Sequence, residues 1–379
     1  MKPDLIVIGG GIIGCSAAAF AAERGASVLL LEEREIGAGA SGRNSGSVQY
    51  PFDPILAALH LQTLALYREL AAASPDFSFP TDPAGLLLLT DDPAAAHDRV
   101  DELVREAPHL EPRVLTGAAL TDAEPMLSAD LAAVRLETGY PIPPDGATTA
   151  MARRARELGA ELRVGTPAAE IRRDRRRVAG VTLADGAEIQ GDAVLVAAGP
   201  WSPNLVDPSS AWQPIRPTHG VTVQVEVSTA PTHILEEGVV HTINRPVETG
   251  GPGPDLESTF SMISVGRTST VGSTFLPEPP DPEAVAPLLL SRGARFVPGL
   301  RHAAVLRSRV CTRPQSVDGR PFVGPWPGVE GLFVCVGHGP WGISTGPASA
   351  ALAVSAILDA DEDGIVPELR ASRVVGSSG

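Results

Sequence analysis

Residues 5–34, LIVIGGGIIGCSAAAFAAERGASVLLLEER, decide how this chain begins to fold. Leu5 to Ile8 is a short continuous apolar run that stops at glycines, the pattern of a buried strand. Gly9, Gly11 and Gly14 then fit G-x-G-x-x-G, and Ile12 to Arg24 is rich in alanine with no helix breaker after Gly14. Val28 to Leu31 is a second apolar strand ending at Glu32, 18 residues past Gly14. Strand, glycine turn, helix, strand and acid inside one βαβ unit are the context that a dinucleotide fingerprint requires. Gly9 permits the tight turn, Gly11 lets the backbone approach a pyrophosphate, and Gly14 lets helix and strand pack closely. The free N–H groups and the positive end of the helix would face the phosphates. A carboxylate at Glu32 suits a ribose diol and repels a 2′-phosphate, so NADP is a poor fit. A secretory leader ending at Cys15 is not expected, because Asp4 offsets Lys2 and cleavage there would remove the first strand.

The rest of the composition narrows the class. At 379 residues the chain suits two domains or one large composite. A net charge of −15 argues against nucleic acid or an anionic membrane as partner. No apolar stretch reaches membrane-spanning length without Gly, Pro or charge. Cys15, Cys311 and Cys335 are too few and too scattered for a disulfide framework or a zinc site, and a reducing cytoplasm fits them. The only lysine is Lys2, leaving 29 of the 30 basic residues as arginine. The interior therefore offers no lysine for a Schiff base or for placing a cation over a cofactor.

Beyond Glu32 a polar loop, Ile36 to Tyr50, stands where an ordinary nicotinamide dehydrogenase would have another helix and strand. Asp53 caps a helix expected to run to about Ala73. A strand is expected at Leu86–Thr90 and a surface helix at Pro93–Glu106. TTAMARRARELGAE (148–161) reads as an amphipathic helix followed by a strand, Leu162–Val164. Ala168–Arg172 and Val178–Leu183 flank the charged turn RRDRRR, which reads as a solvated hairpin tip rather than a nucleic-acid patch. DAVLVAA (192–198) is a buried strand leading into Gly199-Pro200-Trp201-Ser202. Between 214 and 275 the pattern is strand-like, with a hairpin turn at Gly266-Arg267 and a Pro/Gly-rich loop at 246–256. From Arg307 a strand, a glycine loop, the strand Leu332–Val336 and a long helix, Ile343–Leu358, complete the α/β pattern, and the tail after Arg373 is expected to be unstructured.

Five ordered segments together resemble flavoenzymes of the D-amino-acid oxidase superfamily, in the glycine oxidase and sarcosine oxidase branch. They are VIGGGIIG…LLLEER, GAGASGRNSG (37–46), TPAAEI (166–171), VLVAAGPWS (194–202), and RPQSVDGRPFVG with LFVCVGHGPWGISTGPA (313–348). The resemblance implies an α/β fold: a Rossmann-like FAD-binding domain with a mostly parallel sheet, and an interleaved α+β substrate domain on a mainly antiparallel sheet. It divides the chain into 1–80, 141–212 and 305–379 for FAD, and 81–140 and 213–304 for substrate. The FAD residues it implies are Gly9, Gly11, Ile12, Ile13, Gly14, Glu32, Glu33 and Arg34 at the adenosine end. Ser41, Arg43, Asn44 and Ser45 would lie along the flavin, with Ala168, Gly199 and Trp201 beside the cofactor. Gly337, His338, Gly339, Gly342, Ile343 and Ser344 close the site, where a helix N-terminus would stabilise negative charge on the reduced ring.

The same resemblance implies oxidation of the Cα–N bond of an amino acid or related amine by hydride transfer to flavin N5, with electrons passing to O2 or another acceptor. The protein mainly orients the partners, and no dedicated general base is required. Arg313 is expected to pair with a substrate carboxylate through two parallel bonds. Pro340-Trp341 stands where glycine-oxidase-like relatives tend to carry a second arginine inside the GH-x-x-x-G loop, which suggests a bulkier or less polar substrate beside Trp341. The lysine that assists O2 in sarcosine-oxidase-like enzymes is missing. Cys311 falls where those enzymes attach FAD covalently; it reads equally as a small core residue, and non-covalent FAD is the expectation. Tyr140, His219 and His241 are the remaining polar candidates for the substrate pocket. A 2-hydroxy-acid dehydrogenase, which Arg313 would also serve, and a non-catalytic FAD-binding subunit are the alternatives; a homo-oligomer is compatible with either.

Overall fold

The computed structural model of the chain describes residues 2–238 and 258–374. His241, the 246–256 loop and the tail beyond Val374 lie outside the described residues. The first half of the chain runs β1 (Leu5–Ile8), α1 (Ile12–Glu23), β2 (Val28–Leu31), β3 (Ser47–Val48), α2 (Pro54–Ala73), β4 (Leu86–Thr90), α3 (Pro93–Glu106), β5 (Arg113–Thr116), α4 (Gly117–Ala123), β6 (Ala132–Leu136) and β7 (Tyr140–Pro141). Next come α5 (Gly146–Glu157), β8 (Glu161–Arg163), β9 (Ala168–Asp174), β10 (Arg177–Leu183), β11 (Glu188–Gln190), β12 (Ala193–Val196) and α6 (Ser202–Val206). The remainder is β13 (Ile215–Glu226), β14 (Ile234–Glu237), β15 (Ser258–Val265), β16 (Thr268–Thr274), α7 (Pro282–Gly293), β17 (Ala304–Ser316), β18 (Phe322–Pro325), β19 (Leu332–Val336) and α8 (Gly342–Leu358).

Two large sheets organise these elements among the described residues. The six-stranded sheet has the order β18-β19-β12-β1-β2-β8 and is parallel except for the β18–β19 pair. Its strands come from the beginning, middle and end of the chain. β1 and β2 are buried on both faces, which is why they read as unbroken apolar runs. One face packs α1, α2, α5 and α8, and the other packs the β9–β11 meander. The helical stretch Gly339–Leu358, which contains α8, is long and apolar enough to cross a membrane, but two-thirds of it is buried, with α8 packed chiefly against α1 and α2.

The eight-stranded sheet has the order β17-β13-β16-β15-β14-β4-β6-β5, antiparallel except between β14 and β4. Its outer face packs α7 through Val223, Leu235, Phe260, Met262 and Val271. α3 covers the β4-β6-β5 end of the inner face. The inner face of the other end carries Glu236, Ser261, Gly272, Thr222 and Arg309, which lie opposite one another across β14, β15, β16, β13 and β17. Glu236 and Ser261 of this row face a cavity, while Thr222 and Arg309 donate to backbone carbonyls of the 37–46 loop.

One boundary differs from the sequence expectation. β17 pairs with β13 from Ala304 to Ser316, so it belongs to the eight-stranded sheet and not to the 305–379 segment assigned to the nucleotide part. The sequence reading takes Arg307 onward as a return to the α/β part, because a strand carries no local mark of which sheet it joins. Helix starts are better signalled. Asp53 caps α2 through Oδ1, which accepts from the Ile55 and Leu56 amides at 2.9 and 3.0 Å.

Candidate active site

The two sheets enclose a cavity of about 460 Å³. Its adenosine end is built by the opening motif. Gly9 adopts φ +112°, and a Cβ at Gly14 would lie 1.9 Å from the Gly9 carbonyl oxygen, so neither position accepts a side chain. Gly9, Gly11, Ile12, Ile13 and Glu32 line the cavity, with Glu33, Arg34 and Ala168 beyond them. Gly14 does not line it: its work is packing α1 against the turn. Gly11 supplies no side-chain cap to α1, and the Ile12 amide donates to Ser41 Oγ at 3.0 Å. Glu32 accepts from the Gly10 amide at 2.6 Å and from the Arg34 amide at 2.9 Å, which holds the carboxylate between the glycine turn and the end of β2.

The 37–46 loop differs in detail from its expected role. Ser41 and Ser45 line the cavity. Asn44 lines it too, but its amide donates to the Ser41 and Pro144 carbonyls at 2.7 Å and accepts from the Gly46 amide at 2.8 Å. It braces the loop. Arg43, expected along the flavin, is not on the wall; its guanidinium donates to the Val310 carbonyl at 3.4 Å on β17. Arg309 returns the contact, donating to the Gly42 and Asn44 carbonyls. Burial, then the nearby Arg307, push the pKa of Arg309 down. Sequence spacing cannot separate a ring contact from a clamp on a neighbouring strand.

The C-terminal segment closes the far wall. Gly199, Trp201, His338, Gly339, Trp341, Gly342, Ile343 and Ser344 line the cavity, while Gly337 sits behind it at φ +91°. α8 starts there with no side-chain cap. Pro347, inside α8, cannot donate to the Ile343 carbonyl one turn back, and the Tyr67 hydroxyl from α2 supplies that bond at 2.7 Å. The His338 ring is buried with neither nitrogen partnered, and burial pushes its pKa down to about 3. A neutral, orphaned imidazole among glycines and an uncapped helix end fits a planar group with hydrogen-bonding edges, as FAD is.

Arg313 enters the cavity from β17. Its guanidinium lies 4.6 Å from the centre of the Phe275 ring, donates to the Thr274 carbonyl at 2.9 Å and donates to Ser273 Oγ. Gly220 makes room for it, since a Cβ there would come within 2.4 Å of the guanidinium. Cys311 is a free thiol on the same wall, and Thr312 lines it as well.

Two of the expected substrate residues stand elsewhere. Tyr140 is buried, stacked on Phe79 at 5.1 Å with Arg68 over its ring, and is not on the cavity wall. Its apolar surroundings on the short β3–β7 pair make it a core residue. His219 is off the wall too, with Nδ1 3.2 Å from Thr312 Oγ1, and burial lowers its pKa.

Sequence reasoning misses Glu236, Gln49, Ser261, Ser273 and Phe275, all of which line the cavity. Glu236 is buried on β14, and one of its oxygens accepts from Gln49 Nε2 at 3.0 Å. Burial raises its pKa to about 7, against the lowering effect of the Gln49 bond. Nothing local marks it, because ILEE places one acid on each face of the strand.

The chain resembles known proteins over nearly its whole length. It is 28% identical to the glycine oxidase of Geobacillus kaustophilus over 370 residues, covering 92% of this chain and 91% of that protein. It is 29% identical to the glycine oxidase of Pseudomonas aeruginosa over 371 residues, covering 93% and 94%. The crystal structure of the Bacillus cereus glycine oxidase superposes with a TM-score of 0.83 at 25% identity, covering 98% of this chain and 99% of the other. The family model for FAD dependent oxidoreductases of the DAO type matches residues 4–356. With a glycine-built nucleotide cradle at one end of the cavity and an anchored arginine at the other, the chain belongs to this family of FAD-dependent oxidoreductases.

Proposed function

We propose that this protein oxidises the Cα–N bond of an amino acid or related amine. The observation that carries this is Arg313: two of its N–H groups are fixed by Thr274 and Ser273, Phe275 lies against one face, and the remaining donors are free to bind a carboxylate in the cavity. The glycine oxidase relatives support the same substrate class. FAD, when bound, would supply the electron sink for this two-electron oxidation.

The chain's own residues do the rest. Gly9 to Glu32 would hold the adenosine end, the 37–46 loop and His338 to Ser344 would hold the flavin end, and the uncapped start of α8 would favour negative charge there. The nucleotide part comprises the six-stranded sheet with its helices, and the eight-stranded sheet carries the substrate. Trp341 gives the substrate side an apolar wall. FAD is held without a covalent link, with Cys311 as the alternative attachment point, which acid precipitation of the holoenzyme decides. Electrons pass to O2 or another acceptor; Lys2 pairs with Asp192 at the surface, so no lysine serves the oxygen reaction.

Anaerobic mixing of the flavin-loaded protein with panels of amines and 2-hydroxy acids tests the proposal. Bleaching by amino acids or secondary amines alone is expected. Bleaching by hydroxy acids alone, or by neither class, overturns it.

A further inference from the structure

Glu236 is a carboxyl group that faces the cavity and, among the described residues, forms no ion pair. It lies on β14 opposite Ser261 of β15, with Leu88 of β4 on its other side. One oxygen accepts from Gln49, whose own amide oxygen lies 3.4 Å from the Ser47 hydroxyl and whose backbone N–H donates to Ser344 Oγ at 2.9 Å in the first turn of α8. Gln49 thus ties the carboxyl to the helix end assigned to the flavin. The titratable groups on the surrounding elements are few. Arg313 on β17 and His338 before α8 share the cavity wall, His60 on α2 is buried with its pKa lowered to about 4, and Arg309 lies at the far end of the same row. β4 and β15 present none, and Glu237 points to the opposite face toward Arg292.

The placement relative to Arg313 matters most. The Arg313 guanidinium is held against β16, whereas Glu236 sits on β14, two strands away in the same sheet. Two strand spacings are roughly 10 Å, and Ser273 and Thr274 stand one and two residues along β16 from Gly272, which shares Glu236's row. Two charge-assisted hydrogen bonds of about 2.8 Å each, with one α-amino acid between them, span a distance of this order, and both side chains line the same cavity. An anion-binding arginine on one side and a carboxylate on the other match the two charges of a zwitterion.

We infer that the Glu236 carboxylate binds the amine of the substrate and takes a proton from its ammonium form, with Gln49 as its positioning residue. The inference rests on the amine-oxidising function proposed above. In this step one N–H bond of the substrate breaks, an O–H bond forms on Glu236, and the nitrogen keeps the electron pair. This proton transfer is redox-neutral and needs no electron acceptor. The step matters because an ammonium nitrogen has no lone pair to stabilise the developing imine. A carboxyl whose pKa lies at about 7 is matched to that proton near neutral pH.

The test compares holoenzyme with Glu236→Gln, reduced anaerobically by a saturating amino acid across neutral to alkaline pH. The wild type is expected to react faster as pH rises through about 7, when Glu236 ionises. Glu236→Gln is expected to be about 10²–10⁴-fold slower near neutrality and to recover only where the free ammonium itself loses its proton. Glu236→Asp is expected to restore the inflection. A simple carboxylate lacking an amine, followed by its perturbation of the flavin absorption, is expected to bind Glu236→Gln as it binds the wild type. An unchanged rate and pH profile in Glu236→Gln, or an equal loss of carboxylate binding, overturns the inference. Should that variant not retain flavin, Gln49→Leu decides: the inflection is expected to move to higher pH, and one that stays in place overturns it. No bleaching of the wild type by any amine sinks the proposed function itself, a separate result.

Discussion

Glu236 and Glu237 are consecutive on one strand and each is 8% exposed, yet they serve opposite faces of one sheet. Glu237 faces α7, where Arg292 donates to both of its oxygens at 2.8 and 2.9 Å and the Phe260 amide adds a third bond at 3.0 Å. Glu236 faces the cavity and, among the described residues, has one neutral partner, Gln49. The first carboxylate is saturated by the protein, so its charge stabilises the fold and is closed to other chemistry. The second is desolvated without being neutralised, and that leaves bonding capacity for a ligand.

The largest effect that would sharpen this contrast is on the cavity side. Arg313→Leu is expected to lower kcat/KM for carboxylate-bearing amines by about 10³-fold, the result of leaving a substrate charge unpaired. Steady-state kinetics check it, and a loss below tenfold would remove Arg313 from the site. On the other face, Arg292→Met is expected to cost about 3 kcal/mol of stability by leaving Glu237 buried and unpaired. A denaturant midpoint measures this, and the pH profile of flavin reduction should not move.

Glu236 is also expected to make stability pH-dependent. Its folded pKa is raised from 4.5 to about 7, so the unfolded chain releases the proton first and stability falls as pH rises between those values. The fall is of the order of 3 kcal/mol, and it should vanish in Glu236→Gln. A smaller effect is expected for Gly220→Ala, whose Cβ would displace the Arg313 guanidinium. KM should rise about tenfold with kcat little changed, consistent with modest overpacking. The smallest is Tyr67→Phe, which orphans the Ile343 carbonyl left by Pro347. It is expected to cost about 1 kcal/mol in thermal or denaturant unfolding while leaving Glu236 and Arg313 in place.

Much of the nucleotide part is legible in the amino-acid sequence. β1, α1 and β2 lie within the predicted strand, helix and strand, and Asp53 caps the helix it is expected to cap. These features depend on residues a few positions apart, so local pattern reports them. The substrate side is less legible. Arg313 stands out because a motif carries it, whereas the sequence reading puts Tyr140 in the pocket and does not single out Glu236. It also misses α7, although Asp281-Pro282 supplies that helix with its cap and first turn. The strand-like pattern of 214–275 carries no register, and register decides which alternate side chains face the cavity.

Sequence alone determined the opening βαβ nucleotide unit, because glycines at fixed spacing and an apolar strand are short-range requirements of the backbone, and its five ordered motifs pointed to the family and to FAD. Tertiary structure decided which groups converge on the reacting end. The Gln49–Glu236 bond joins residues 187 apart, and the bond from the Gln49 amide to Ser344 joins residues 295 apart. It also decided that Arg43 clamps β17 and that Gly220 leaves space for Arg313. Such contacts follow from how two sheets close around a cavity, and desolvation, which gives Glu236 its chemistry, exists only once they have closed.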